Sequence, residues 1–214
     1  MKVLVVGANG QIGQKLVGLL QDSEKHEARA MVRKEKQAEA LREKGIEAVV
    51  ANLEGSVDEL TDAAYGCDAI VFTAGSGGHT GPDKTLLIDL DGAVKMVEAA
   101  EKIGVKRFVM VSALQANNRE NWNKAILPYY VAKHYADRAV EQSSLTYTIV
   151  RPGGLLNEPG TGRVEAGKQL ERGSIPREDV ALVVFHALDE AHTFNRSFDL
   201  ISGEKSVSSA LKQI

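Results

Sequence analysis

Lys2-Val3-Leu4-Val5-Val6-Gly7-Ala8-Asn9-Gly10-Gln11-Ile12-Gly13 is the stretch on which the fold turns. Val3–Val6 is a continuous apolar run, which suits a strand covered on both faces. Three glycines spaced G-x-x-G-x-x-G follow at once. They open a segment in which Ile12, Leu16, Leu19 and Leu20 recur at helical spacing. Glycine permits the tight turn and a close approach of backbone to a diphosphate. Free N–H groups at the start of the helix then face the anion. The spacing is not G-x-G-x-x-G, but the physics is shared. What makes the pattern specific is its place at the first strand-to-helix junction. Gly7, Asn9, Gly10, Gln11, Ile12 and Gly13 are therefore the candidate residues of a dinucleotide cradle.

Working outward, short apolar runs recur at Ala28–Val32, Ala48–Ala51, Ala69–Phe72, Phe108–Val111 and Tyr147–Val150. Between them, Leu86, Leu90, Ala93, Val97 and Ala100 step by three and four. Val180, Val183, Val184, Ala187 and Leu188 do the same near the C-terminus. Alternating strand and helix patterns predict an α/β fold: a doubly wound, mostly parallel sheet with helices on both faces. Residues 1–214 read as one domain, with about 153–214 contributing a small cap on the substrate side. The irregular segments Gly75–Pro82, Gln115–Pro128 and Gly153–Gly173 each follow a predicted strand. In open α/β sheets ligands bind beyond the carboxyl ends of strands, so these loops should line one crevice.

Composition narrows the function. The 214 residues carry 26 Lys and Arg against 29 Asp and Glu, and only 5% are aromatic. A nucleic-acid binder would show a basic excess and a stacking surface, so nucleic acid is excluded as a partner. The single Cys67 rules out an internal disulfide. No apolar stretch approaches the roughly 18 residues of a membrane span, and no signal segment opens the chain. A cytoplasmic protein is expected, without a membrane partner. The five histidines show no ligand pairing and no H-E-x-x-H, so no metal site is predicted.

A site preferring NAD would place Asp or Glu about 20 residues beyond the cradle, at the end of the second strand. Here that strand ends at Arg33, followed by Lys34. Arg33 can form charge-assisted bonds with a ribose 2′-phosphate, which predicts NADP over NAD. Asn52 and Leu53 end the third strand, where the amide could bond an adenine edge. Thr73, Ala74 and Gly75 end the fourth, where small residues let a dinucleotide lie against backbone.

Pro128-Tyr129-Tyr130-Val131-Ala132-Lys133 reads as the first turn of a helix. Tyr129 and Lys133 are four apart and share a face. A nearby ammonium favours the tyrosinate, which makes the phenol a proton donor or acceptor. Tyr130 is adjacent, about 100° away around the helix, and competes for the role. Ser112 closes the fifth strand, where its hydroxyl could bond a substrate oxygen. Arg119, Asn121 and Trp122 are candidates to touch substrate from the loop above, and His79 sits in the glycine-rich loop.

Taken together, Gly7–Gly13, Thr73–Gly75, Ser112, Tyr129 with Lys133, and Arg151-Pro152-Gly153 resemble the short-chain dehydrogenase/reductase superfamily in order and spacing. The likeness spans essentially the whole chain and is closest to the atypical, NAD-dependent epimerase/dehydratase-like branch. It implies a Rossmann fold, a nicotinamide dinucleotide, and catalytic roles for Ser112, Tyr129 and Lys133. Lys133 also inherits a contact to the nicotinamide ribose, and Pro152 a place beside the cofactor. Where much of the family has Asn, in the helix after strand four, this chain has Asp89. That departure removes the basis for copying the family's proton relay. The resemblance implies an NADP-dependent oxidoreductase of a small carbonyl or alcohol, with a helix-faced homodimer as a common family arrangement. A nucleotide-sugar epimerase or dehydratase is an alternative, opposed by the short C-terminal region. An NADP(H)-binding redox sensor is another, kept open by Asp89.

Overall fold

The structure, a computed structural model, describes residues 1–214. In chain order it runs β1 (Lys2–Val6), α1 (Gln11–Gln21), β2 (Glu27–Val32), α2 (Glu35–Arg42), β3 (Glu47–Val50), α3 (Val57–Ala64) and β4 (Ala69–Phe72). Then come α4 (Pro82–Lys84), a π-helical segment Thr85–Asp91, α5 (Gly92–Ile103), β5 (Arg107–Val111), α6 (Leu127–Gln142) and β6 (Thr146–Pro152). The last third holds β7 (Gly154–Leu156), β8 (Arg163–Gly167), β9 (Ser174–Pro176), α7 (Arg177–Ala187), β10 (Arg196–Ser202), β11 (Lys205–Ser206) and α8 (Val207–Leu211).

The nine-stranded sheet has the order β3-β2-β1-β4-β5-β6-β10-β8-β11. Every pairing from β3 to β10 is parallel, while β8 runs antiparallel to both β10 and β11. Strand order reverses between β1 and β4, which opens the crevice beyond their carboxyl ends. Residue alternation divides the core. Val3 and Val5 face α1, α2 and α7 through Leu16, Leu20, Ala38 and Val184. Leu4 and Val6 face α3, α5 and α6 through Leu60, Met96 and Val140. Fully burying each such side chain contributes about 1.5–3 kcal/mol. Helices cover both faces, which is why the strands read as unbroken apolar runs.

Two expectations need correction. Gly153–Gly173 is not an irregular loop: it contains β7 and β8, and β8 joins the main sheet. The residues read as a cap divide accordingly. β8, β10, β11, α7 and α8 extend the central layers, and the β7–β9 pair stands apart as a two-stranded sheet. The second correction concerns Leu86, which is 47% exposed although its spacing placed it inward. The π-helical segment widens the turn and brings Ile88 and Asp89 inside instead. Single π-turns inside helices are frequent at functional sites.

Candidate active site

The cradle is built by steric necessity. Gly7 has φ +85°, and a Cβ there would lie 2.8 Å from the Ala74 backbone. A Cβ on Gly13 would lie 2.3 Å from the Gly7 carbonyl oxygen. The turn therefore exists only with glycine at both positions. Gly10 N donates to Gly7 O at 2.9 Å and sets the first residue of α1. That helix start has no side-chain cap and no acid in its first turn. The N–H groups of Gln11, Ile12 and Gly13 have no intrahelical acceptor, and the helix dipole favours an anion in front of them. A diphosphate fits this donor set.

Two cavities meet above the cradle. The first, of about 410 Å³, is lined by Gly7, Asn9, Gly10, Arg33, Leu53 and Glu54 among others. The second, of about 710 Å³, is lined by Gln11, Ile12, Asp89, Ser112, Tyr129 and Lys133 among others. Both sizes fall within the usual range for ligand sites. Thr73, Ala74, Gly75, Ser76 and Thr80 belong to both walls, so the two halves form one crevice across the end of β4. Arg33 is exposed at the rim of the first half. Three residues expected to touch a cofactor do not line the crevice: Gly13, packed under the Gly7 carbonyl, Asn52 and Pro152. Asn52 instead closes an Asx turn, its Oδ1 accepting from Glu54 N at 3.1 Å. Pro152 is buried in β6, its carbonyl accepting from Leu114 N.

In the second half, α6 carries Pro128 in its first turn, and Tyr129 next to it lines the cavity. Tyr130 turns away, 6% exposed, and packs with Ala113, Ala116 and Trp122. Packing thus separates the two tyrosines. Lys133 is 3% exposed; its Nζ donates to Val111 O at 3.1 Å and lies 3.5 Å from Asp89 Oδ1. The same Nζ is 5.8 Å from the centre of the Tyr129 ring. Asp89 also accepts from Ser76 N at 2.9 Å, which ties the loop after β4 to the site.

Burial raises the Tyr129 phenol above its ordinary value and outweighs the lowering pull of Lys133. The Lys133 ammonium taken alone would shift the phenol in the opposite direction. Burial also works to lower Lys133, but the facing acidic groups Tyr129, Asp89 and Asp137 outweigh it and hold the ammonium above its usual value. Ser112 is 3% exposed, and its Oγ has no hydrogen bond of good geometry. Its hydroxyl is still near enough to the Asp137 carboxyl to favour that group's ionised form. The hydroxyl stands on the cavity wall between Asp137 and the open crevice, where it can also meet a ligand oxygen.

The loop candidates resolve differently. Trp122 donates from Nε1 to Ala116 O and stacks on Tyr130. Arg119 lies over Trp122 and bonds the Tyr135 hydroxyl. Asn121 accepts from Arg172 through its carbonyl. None lines the crevice, and neither does the exposed His79. Trp122 and Arg119 hold the loop to α6, and Asn121 ties it to Arg172. Conversely, Ser76, Leu155 and Arg177 line the second half without having been singled out by the sequence. The last two lie 22 residues apart and are joined by a hydrogen bond from Arg177 to Leu155 O.

Similar proteins agree with this construction. A Bacillus subtilis protein described as the uncharacterized sugar epimerase YhfK is 65% identical over the full length of both chains. A putative NAD-dependent epimerase/dehydratase from Bacillus halodurans is 44% identical, covers 100% of both chains and superposes with a TM-score of 0.93. The oxidoreductase ylbE from Lactococcus lactis is 30% identical, with a TM-score of 0.91 over 100% of this chain and 96% of that one. The family model described as NAD(P)H-binding matches residues 7–191, from the first cradle glycine to beyond α7. The chain belongs to the NAD(P)H-binding family of Rossmann proteins.

Proposed function

We propose that this protein is an NADP-dependent oxidoreductase of the atypical short-chain dehydrogenase/reductase type, acting on a small carbonyl or alcohol. The observation that carries the reading is the single wall formed by Ser112, Tyr129 and Lys133, next to the glycine cradle. A bound nicotinamide supplies the hydride. Within the chain, the Tyr129 hydroxyl gives its proton to the substrate oxygen in reduction and takes it back in oxidation. Ser112 Oγ hydrogen-bonds that same oxygen and orients it. Lys133, anchored by Val111 O and Asp89, places a positive charge beside the phenol and would hold the nicotinamide ribose of a bound cofactor. The test is steady consumption of NADPH across a panel of small aldehydes and ketones. Cofactor binding without turnover, together with a partner that prefers one redox form, would favour a sensor instead.

Two measurements check the cofactor half. Gly13→Ala forces a methyl into the Gly7 carbonyl. Overpacking of that kind costs about 1–3 kcal/mol. Expressed in binding, it weakens the Kd for NADPH about 10- to 100-fold. An unchanged Kd in a fluorescence titration would mean that the cradle does not hold the diphosphate. Arg33→Ala removes the free guanidinium at the rim. Charge-assisted bonds are worth about 1.5–3 kcal/mol. The variant therefore loses about 10- to 100-fold in affinity for NADP and keeps its affinity for NAD. Equal losses for both nucleotides would end the assignment to NADP.

A further inference from the structure

Arg177 has no acidic partner. Its NH1 donates to Leu155 O at 3.1 Å and to Asn157 Oδ1 at 2.7 Å, both neutral acceptors. No carboxylate lies within ion-pair distance of it. The two acids that follow it in the first turn of α7 are engaged elsewhere. Glu178 accepts from Gly160 N and pairs with Lys15. Asp179 is fully buried and accepts from Thr161 N and Gly162 N. As the first residue of α7, Arg177 also sits at the positive end of that helix dipole, where a cation is disfavoured. A guanidinium held there by neutral acceptors is poised for an anion.

The anion's setting is the second half of the crevice, because Arg177 lines the same cavity as Ser112 and Tyr129. Of the other charged groups on that wall, Lys133 and Asp89 offset each other at 3.5 Å. The same wall carries the apolar residues Ala125, Ile126, Pro128 and Leu155. Ile126 is 45% and Leu155 37% exposed, a large apolar display at a cavity mouth. The wall therefore offers an apolar surface, one uncompensated cation and a hydroxyl pair.

From this arrangement we infer that Arg177 is a specificity residue for substrates with an apolar body and a carboxylate, the carboxylate bound by the guanidinium while the reacting oxygen meets Ser112 and Tyr129. This rests on the reading that the substrate enters beside Tyr129. Arg is suited to the task because its planar fork matches carboxylate geometry, and the NH2 and Nε groups make no hydrogen bond within the protein.

The test is calorimetric titration of 4-phenylbutanoate and its neutral counterpart 4-phenylbutanamide into the NADP-loaded protein. Wild type should bind the acid about tenfold or more tightly than the amide. Arg177→Gln should abolish that preference while leaving amide binding unchanged, and Arg177→Lys should restore part of it. Equal binding of both probes to wild type, or binding of neither, overturns the proposal. So does a preference that survives Arg177→Gln. Loss of NADP affinity in Arg177→Gln with the acid preference intact would assign the guanidinium to the cofactor diphosphate, and also overturns it. A carbonyl panel without turnover would end the oxidoreductase reading but would not alter the outcome of these titrations.

Discussion

Tyr129→Phe lowers turnover of a carbonyl substrate by about 10²- to 10⁴-fold, the usual contribution of a positioned general acid. The Kd for NADPH stays within about twofold of wild type, because the lost hydroxyl belongs to the substrate half of the crevice. The phenyl ring keeps the apolar volume, so stability is nearly unchanged. The pH dependence follows from the direction of the phenol's shift. Burial raises it against the pull of Lys133, so Tyr129 stays protonated through neutral pH and beyond. Reduction should then be flat with pH and fall only above the ordinary tyrosine value of about 10. Oxidation, which needs the tyrosinate, should still be rising there. Retention of turnover in Tyr129→Phe, or a reduction rate that falls between pH 6 and 8, would remove Tyr129 from the acid role.

The legible parts of this molecule are those decided by local chemistry. Val3–Val6 followed by Gly7 needs no partner to be read, since the positive φ and the close approach to Ala74 both demand glycine. The parallel strands β1 to β6 were legible because each carries a short apolar run, whereas β10, also parallel, was missed because Arg196, Ser197 and Asp199 interrupt it. β8 is the instructive failure. Val164 and Ala166 alternate with Arg163 and Glu165, the pattern of an antiparallel strand, but short turns on either side disguise it as loop. Asn52 misled for another reason: an Asn side chain can bond its own backbone two residues on, and that local option won. The inward turn of Asp89 depends on a π-helical segment, and a reading at period 3.6 places Leu86 inward instead. The choice between Tyr129 and Tyr130 is made by Trp122, seated by Ala116 O, and cannot be extracted from adjacent tyrosines. Arg177 reaches the site only because α7 and β7 meet in space.

Behind the catalytic wall lies the feature whose removal should cost most in stability. Asp137 and Arg151, each about 2% exposed at the side chain, pair at 2.7 Å, and Glu141 adds a second contact to Arg151 at 3.3 Å. Asp137→Ala leaves Arg151 fully buried with only the half-exposed Glu141, and should destabilise the protein by about 3–5 kcal/mol. Replacing both partners together, as Asp137→Leu with Arg151→Met, should recover much of that loss, because paired apolar groups carry no desolvation cost. The pH dependence has a definite sign. Burial raises the Asp137 carboxyl above its ordinary value, although Arg151 and Ser112 pull it down. The folded state therefore holds this proton more firmly than the unfolded chain, and the group's contribution is fully present below the unfolded value of about 3.9. It is lost as pH rises through the raised folded value, so the variant's deficit should be largest in acid and shrink across that window. Urea unfolding at several pH values measures both effects. A deficit below about 1 kcal/mol at every pH would mean that the pair does not stabilise the fold, and one that grows with pH would mean that Arg151 outweighs burial and holds the Asp137 carboxyl below its ordinary value. Asp137 lies one turn beyond Lys133 and beside Ser112. Its loss should accordingly loosen two members of the catalytic wall, and turnover in Asp137→Ala should fall even under conditions where the variant remains folded.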